Sequence, residues 1–220
     1  MRTDGYGEMN AKIRLSDKDY LVKGKKRLVY RHPSKPDLLI KVFRKRDSKK
    51  TIKEGIFGKQ YRRFAFLSGF TREIREFVYS RYEEDDPLVG YIADITGFAD
   101  SDMGMGIIVS AAVDKNGELA PTLSSLIKQK KISAERINLL EELFDRINAS
   151  KLVIGDLTAR NIVLAYIPGA GERFLLIDGL GDKTFVPIQR WFSCINRRNK
   201  TRRINKLRER VNRTVISSKE

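Results

Sequence analysis

The sequence predicts an α+β protein with a β-rich first half and a helical second half, arranged as two lobes. Short runs rich in Val, Ile and Leu, separated by Gly and Pro turns, dominate the first half. The clearest helical apolar period lies in the second half, at residues 133–147. The chain has 220 residues, 41% of them hydrophobic, which is enough for one domain or for two small lobes.

In the first half, turn residues separate short strands. Two strands are expected around Gly24 in "YLVKGKKRLVYRHP", and a third in "LLIKVFR" (38–44), with Lys41 at its middle. Further strands are expected in "LVGYIADITGF" and in "MGIIVSAAV" (105–113). We therefore place a β-rich N-terminal lobe at residues 1–113.

One helix is expected between these strands, at residues 71–82, "TREIREFVYSRY". Ile74, Phe77 and Val78 stand at helical spacing there, and Thr71 is a candidate N-cap. The acidic run "EEDDP" (83–87) follows and is expected to end the helix as a solvated loop.

A small helical C-terminal lobe is expected at residues 114–220. A short helix is predicted at 122–131, followed by one capped by Ser133, with an apolar stripe of Ile137, Leu140, Phe144 and Ile147. "NIVLA" and "FLLID" predict a hairpin closed by "PGAGE". The chain ends in a basic helical tail, whose Ile204, Leu207 and Val211 share one helical face.

The net charge of +16 is concentrated in two blocks. Residues 41–63 carry +8 and residues 190–220 carry +9. Such blocks are typical either of a solvated basic face or of attraction to nucleotide, nucleic acid or an anionic membrane surface. For the tail, two arrangements follow. Its apolar face can dock on the C-terminal lobe with the basic residues outward, or the tail can lie on an anionic surface.

The residue inventory argues against several classes of protein. Cys194 and His32 are the only cysteine and the only histidine, so an internal disulfide is excluded and a zinc site of several Cys and His ligands is disfavoured. No segment approaches the ~20 consecutive apolar residues of a membrane span, and the N-terminus lacks a secretory apolar segment. We expect a cytoplasmic protein, and peripheral contact with the inner membrane follows only if the tail lies on an anionic surface.

Four polar residues lie in otherwise apolar surroundings: Lys41, Asp156, Asn161 and Asp178. A lysine inside an apolar strand requires an anion, either a carboxylate or a ligand phosphate. Asn161 and Asp178 offer oxygen ligands suited to Mg²⁺ held jointly with phosphates. Asp156, five residues before Asn161, could accept a proton from an attacking hydroxyl. The four together are the set that phosphoryl transfer requires.

These motifs resemble those of the protein-kinase superfamily. "GDLTARN" is similar to its catalytic loop, "LLIK" to its lysine strand and "FLLIDGLG" to its metal-binding strand end. The resemblance implies ATP and Mg²⁺ as cofactors, and it implies that Arg160 serves the transferring phosphate. "YLVKGKKRLVYRHP" resembles the phosphate-covering glycine loop, with Gly24 at its middle glycine and Val29 at the hydrophobic position after it.

The sequence also departs from that superfamily. Val22 and Arg27 stand at the outer positions of the glycine loop, where Lys23, Lys25, Lys26 and Arg27 could compensate with charge. The histidine of the catalytic loop is absent, the metal motif is Asp-Gly-Leu-Gly, and no Ala-Pro-Glu segment follows. The carboxylate partner of Lys41 is expected on the first helix, as Glu76 or Glu73, with Glu76 preferred.

A narrower resemblance covers most of the chain. "REIREFVYSRY" and "VPIQRWFSCINRRNK", together with residues 13–42, resemble the bacterial YrbL family, the PhoP regulatory network proteins. Three functions remain open. The first is an ATP- and Mg²⁺-dependent phosphotransferase acting on a hydroxyl of a protein or of an envelope sugar or lipid. The second is a pseudokinase used as a nucleotide-binding regulatory or scaffold module, and the third is a basic nucleic-acid-binding protein.

Overall fold

The structure, a computed structural model, describes residues 12–24, 27–44, 70–82, 86–182 and 192–216, and the helical backbone of residues 58–69. It confirms the α+β class, with a β-sheet in the N-terminal part and mainly helices in the C-terminal part. The chain forms two compact units. Unit 1 is Met1–Gly58 with Asp94–Ala111, and unit 2 is Lys59–Ala93 with Ala112–Glu220.

Unit 1 is built on a five-stranded antiparallel sheet. Its strands are β1 (Val22–Lys23), β2 (Arg27–Arg31), β3 (Leu38–Phe43), β4 (Ile95–Ser101) and β5 (Gly104–Ser110). Their order in the sheet is β1-β2-β3-β5-β4. The predicted pair of strands around Gly24 is present as β1 and β2, and the lysine strand is β3. Of the glycine-loop residues, Lys25 and Lys26 lie outside the described residues.

The core of unit 1 covers one face of this sheet. Ile40 and Val42 of β3 are fully buried there with Leu28, Tyr30 and Leu15. Since successive side chains of a strand point to opposite faces, Lys41 belongs to the other face. The alternation within "LLIKVF" therefore separates the core residues of β3 from its lysine.

The described part of unit 2 contains four helices and a hairpin. These elements are α1 (Gly58–Tyr82), α2 (Leu123–Lys128), α3 (Ala134–Ala149), β6 (Ile162–Ile167), β7 (Gly171–Leu176) and α4 (Ser193–Ile216). Ser133 caps α3 as predicted, with its side chain accepting a hydrogen bond from Arg136 N at 3.2 Å. The predicted hairpin is also present, with Ile162 opposite Leu176 and Ile167 opposite Gly171. None of the helices among the described residues is long and apolar enough to cross a membrane.

The first helix differs from its prediction. It begins at Gly58 rather than near residue 71, so Thr71 lies inside the helix and is not an N-cap. Val78, expected on the apolar face, is 55% exposed, whereas Glu73 and Glu76 are buried. The inward face of α1 therefore carries carboxylates, which a search for apolar periodicity does not detect.

The two units also divide the chain differently from the predicted lobes at 1–113 and 114–220. The chain passes from unit 1 to unit 2 for the last time at residues 111–112, close to the predicted boundary at 113–114. The first helix and residues 83–93, assigned in the prediction to the N-terminal lobe, belong to unit 2.

Helix α4 is an integral part of unit 2. Its apolar stripe of Ile204, Leu207 and Val211 is buried in the same core as Phe144 and Ile147 of α3. Of the two arrangements considered for the tail, the docked one is therefore present in residues 192–216. At about 25 cal/mol per Å² of buried apolar surface, three such side chains stabilise the docked helix by several kcal/mol.

The same side of α4 carries a row of polar side chains, which we call the polar row: Asn196, Lys200 and Arg203. Lys200 Nζ donates to Ser150 O at 2.7 Å, and Arg203 Nη1 donates to Ile154 O at 2.5 Å. Asn196 Nδ2 lies 3.3 and 3.2 Å from the carbonyl oxygens of residues 151 and 152. The row thus donates hydrogen bonds to carbonyls of the segment that follows α3.

Lys200 is buried with two carboxylates in its surroundings. Its side chain is 2% exposed, and Asp86 and Glu76 both interact electrostatically with its amine. Asp86 is itself fixed, since its Oδ2 accepts hydrogen bonds from Ser150 Oγ at 3.0 Å and from Lys151 N at 3.2 Å. The expectation that "EEDD" is a solvated loop is therefore wrong for Asp86.

This burial predicts a pH dependence of stability. Burial lowers the pKa of Lys200 from 10.5 to about 8, although the two carboxylates oppose the shift. Between these values the unfolded chain binds more protons at Lys200 than the folded chain does, so the free energy of unfolding increases as the pH rises. Relative to Lys200→Met, the wild type should gain roughly 2 kcal/mol between about pH 8 and pH 10.

Urea unfolding of both proteins at the two pH values measures this difference, and other titrating groups cancel between them. A difference that stays constant, or that shrinks as the pH rises, would contradict the assignment of Lys200 as a buried amine with a lowered pKa.

Candidate functional site

In unit 1, the predicted nucleotide-binding residues lie on adjoining strands. Lys41 of β3 is 8% exposed and stands between Val29 of β2 and Ile107 of β5 in the sheet register. Directly opposed residues project from the same face of a sheet, so Val29 and Lys41 are side-chain neighbours. Gly24 directly follows β1, and its N–H donates to Arg27 O at 2.8 Å. The structure thus brings Gly24, Val29 and Lys41 into one part of unit 1.

In unit 2, the loop between α3 and β6 is bound to the end of the hairpin by backbone hydrogen bonds. Asp156 N donates to Gly179 O at 3.1 Å, and Ile177 N donates to Asn161 O at 2.9 Å. A third bond, from Gly181 N to Val153 O at 2.7 Å, fixes the start of the loop. These contacts hold Asp156, Asn161 and the segment containing Asp178 together, as the sequence motifs predict.

Gly179 is required where the two segments approach each other. Its φ is +98°, which side chains other than glycine rarely adopt. A Cβ at this position would lie 2.6 Å from the carbonyl oxygen of Asp156 and 3.2 Å from Asn161 Nδ2. The glycine after Asp178 thus allows the loop of Asp156 and the end of the hairpin to be adjacent.

Two of the predicted oxygen ligands have defined surroundings. Asn161 Nδ2 donates to Asp156 O at 2.8 Å, which orients the amide and leaves its oxygen as the end suited to a metal. Asp178 Oδ1 accepts from Gly179 N at 2.6 Å. Both side chains are half-buried. One carboxylate and one amide oxygen fit Mg²⁺, which in proteins takes few side-chain ligands and shares the rest with phosphates.

In the described ranges, no three or more His, Cys, Asp or Glu side chains are grouped so as to hold a metal ion. A divalent ion at Asn161 and Asp178 would take its remaining ligands from water or from a bound phosphate.

Asp156 lies near a cation from α4. Burial lowers the pKa of Arg203, and the negative charges of Asp156 and Asp182 oppose that shift. Arg203 therefore combines a hydrogen bond to the backbone of the loop with an electrostatic interaction with Asp156. Arg160, the other predicted catalytic residue, is exposed and directly precedes Asn161.

Glu76 makes a contact that the sequence did not predict. Its Oε2 accepts a hydrogen bond from Val153 N at 2.9 Å, and its Oε1 is 3.6 Å from Arg75 Nη2. Glu76 therefore contributes to the anchoring of the loop within unit 2. Glu73, the alternative partner for Lys41, is also buried, and the pairing of Lys41 with either residue stays a prediction.

A cavity of about 920 Å³ lies behind this loop rather than at Asp156. Its lining includes Glu76, Val153, Asn196 and Lys200, and therefore part of the polar row. Sequence reasoning missed the polar row and Asp86. The one available signal was the occurrence of polar residues at helical spacing beside the apolar stripe of the tail.

Gly179→Ala should destabilise the protein more than an alanine at a comparable open position. Gly169, in the turn of the hairpin, also has positive φ, at 79°, but a Cβ there meets nothing within 4 Å. Gly169→Ala should cost about 1 kcal/mol from backbone strain alone, whereas Gly179→Ala should cost about 3 kcal/mol because of the additional clash.

Urea unfolding of the two variants measures the contrast. Equal losses of stability would show that the loop does not need the close approach at Gly179.

Comparison of the chain with known proteins gives a family match and a similar solved structure. Residues 13–212 match the family described as PhoP regulatory network protein YrbL. No curated protein gives a significant match. The chain is similar to a solved structure titled "PpkA-294 apo form", with 20% identity and a TM-score of 0.48, covering 73% of this chain and 56% of that one. The chain thus spans little more than half of that structure's chain. Because the family match extends over most of its length, the chain belongs to the YrbL family of PhoP regulatory network proteins.

Proposed function

We propose that the protein is an ATP- and Mg²⁺-dependent phosphotransferase that acts on a hydroxyl acceptor. The observation that carries the proposal is the hydrogen-bonded arrangement of the loop on the hairpin end. It holds Asp156, Asn161 and the segment containing Asp178 together in the order that phosphoryl transfer requires. The likeness of "GDLTARN" and "FLLIDGLG" to kinase-superfamily motifs supports the same conclusion.

The residues that we propose to bind the nucleotide come from both halves of the sequence. Lys41 would bind phosphate through its amine, while Gly24 and Val29 would contribute backbone and apolar contacts. Asn161 Oδ1 and a carboxylate oxygen of Asp178 would hold Mg²⁺. When bound, the ion neutralises the charge that develops on the phosphate oxygens.

The proposed reaction transfers the γ-phosphoryl group of ATP. The acceptor hydroxyl oxygen forms a bond to the γ-phosphorus, the bond to the β–γ bridging oxygen breaks, and ADP leaves. Asp156 accepts the hydroxyl proton, and Arg160 stabilises negative charge on the transferring group. The acceptor is a hydroxyl of a protein, sugar or lipid, and the chemistry is the same for each.

One observation favours a second candidate function, a nucleotide-binding module without transfer activity. The glycine loop retains only Gly24, with Val22 and Arg27 at its outer positions, so fewer backbone N–H groups can approach a phosphate closely. Binding would then persist without efficient positioning of the γ-phosphate.

Substitution of Asp156 distinguishes the two functions. Asp156→Asn keeps the size of the side chain and the backbone carbonyl that Asn161 binds, so ATP affinity should change little. Phosphotransfer or ATP hydrolysis should fall by roughly 100-fold or more, because the proton acceptor is lost. Calorimetry with ATP and Mg²⁺ measures binding, and transfer from γ-labelled ATP in cell extract measures turnover.

Asp178→Asn tests the proposed metal site in the same experiment. Asp100→Asn is the control, because it removes the same negative charge at an exposed position of unit 1. Only Asp178→Asn should reduce the Mg²⁺-dependent part of ATP binding. Binding with no turnover in wild type would favour the module without transfer activity. Absence of any ATP–Mg²⁺ binding would exclude both candidates.

A further inference from the structure

Helix α4 presents a second face that the core does not use. Five basic side chains, all exposed, form what we call the outer basic stripe: Arg198, Arg202, Lys206, Arg210 and Arg213. Four of them recur every fourth residue, so that each lies one turn beyond the last. From Arg198 to Arg213 the stripe rises by 15 residue steps, or roughly 22 Å of helix.

The stripe is nearly free of acidic residues. Glu209 is the single acid of α4 and lies 3.9 Å from Arg213. Arg208 of the same helix is half-buried and bound to Glu141 of α3. Its Nε lies 2.9 Å from both carboxylate oxygens. Arg208 and the polar row thus serve the fold, whereas the outer basic stripe projects outward.

Exposed apolar residues mark both ends of the stripe. Ile195 precedes Arg202 by seven residues and Ile216 follows Arg202 by fourteen, which places all three on one side of the helix. Ile195 is 38% exposed and Ile216 is 63% exposed, and Phe192, just before the helix, is 53% exposed. The outward face of α4 is therefore apolar at each end and basic between the ends.

The opposite face fixes the direction of the stripe. Ile204, Leu207 and Val211 are buried in the core of unit 2, and Lys200 and Arg203 bind backbone carbonyls there. The helix cannot rotate about its axis without breaking these contacts. A partner that binds the stripe consequently meets a prearranged row of cations, which lowers the entropic cost of binding.

We infer that the outer basic stripe binds an anionic phospholipid surface. A straight helix can lie along a flat surface, so all five cations can reach lipid phosphates at once. The apolar residues at each end favour lipid over nucleic acid, because aliphatic side chains gain free energy at an acyl boundary and none from phosphates along a strand. This inference does not rest on the proposed phosphotransferase activity.

The test uses the full chain and sedimented vesicles of phosphatidylcholine, with or without about a third phosphatidylglycerol. Binding should require the anionic lipid and should weaken with added salt. The triple variant Arg202→Gln, Lys206→Gln, Arg210→Gln should lower the partition coefficient by roughly 100-fold at low salt. The double variant Ile195→Ser, Ile216→Ser should also weaken vesicle binding, but the salt dependence of binding should be unchanged because all five cations are kept.

A matched control removes three exposed lysines elsewhere in unit 2: Lys115→Gln, Lys128→Gln, Lys131→Gln. Thermal melts show that each variant is folded. Equal losses in the stripe and control variants would overturn the inference, since net charge alone would then account for binding. It would also be overturned if the wild type ignored anionic vesicles at low salt, or if the protein bound duplex RNA or DNA while the vesicles failed to compete.

Discussion

The arrangement of unit 2 depends on hydrogen bonds from the polar row of α4 to the backbone that follows α3. The carbonyls of residues 150, 151, 152 and 154 accept these bonds from Asn196, Lys200 and Arg203. A segment that leaves a helix and enters a loop has no regular partners for its carbonyls, and each one left unsatisfied would cost about 1–3 kcal/mol. The C-terminal helix supplies those partners and so fixes the origin of the loop.

This constraint connects the last part of the chain with the candidate site. The loop is held at its start by α4 and by Glu76 of α1, and further along by the hairpin end at Gly179 and Ile177. Ile154 is buried, and Arg203 binds its carbonyl, so α4 fixes the backbone two residues before Asp156.

Features encoded by local sequence could be predicted. Ser133 and the apolar stripe of α3, the hairpin, and the lysine in the middle of β3 each follow from periodicity or turn residues within a few positions. The grouping of Asp156 and Asn161 with the segment of Asp178 was also predictable, because their motifs have a specific spacing. In these places propensity, pattern and tertiary contacts agree.

The features that could not be predicted depend on partners far away in the sequence. Glu76 is buried because Val153, 77 residues later, provides an N–H, and Lys200 is buried because Ser150 provides a carbonyl. Neither partner leaves a local signal, so α1 was expected to bury Val78 and "EEDD" to be solvated. The start of α1 at Gly58 was missed for a different reason, since the helix as a whole has little apolar periodicity.

The most direct test of the role of α4 is amide hydrogen exchange in Arg203→Met, which keeps the aliphatic stem but removes the bond to Ile154 O. Exchange at Asp156 and Gly181 should accelerate by roughly tenfold or more, because their hydrogen bonds depend on the anchored loop, while α3 and the β6–β7 hairpin stay protected. Arg202→Met, one residue earlier and exposed, should leave the loop unchanged. Unchanged exchange in Arg203→Met, or the same acceleration in both variants, would contradict the claim that α4 holds the loop between α3 and β6.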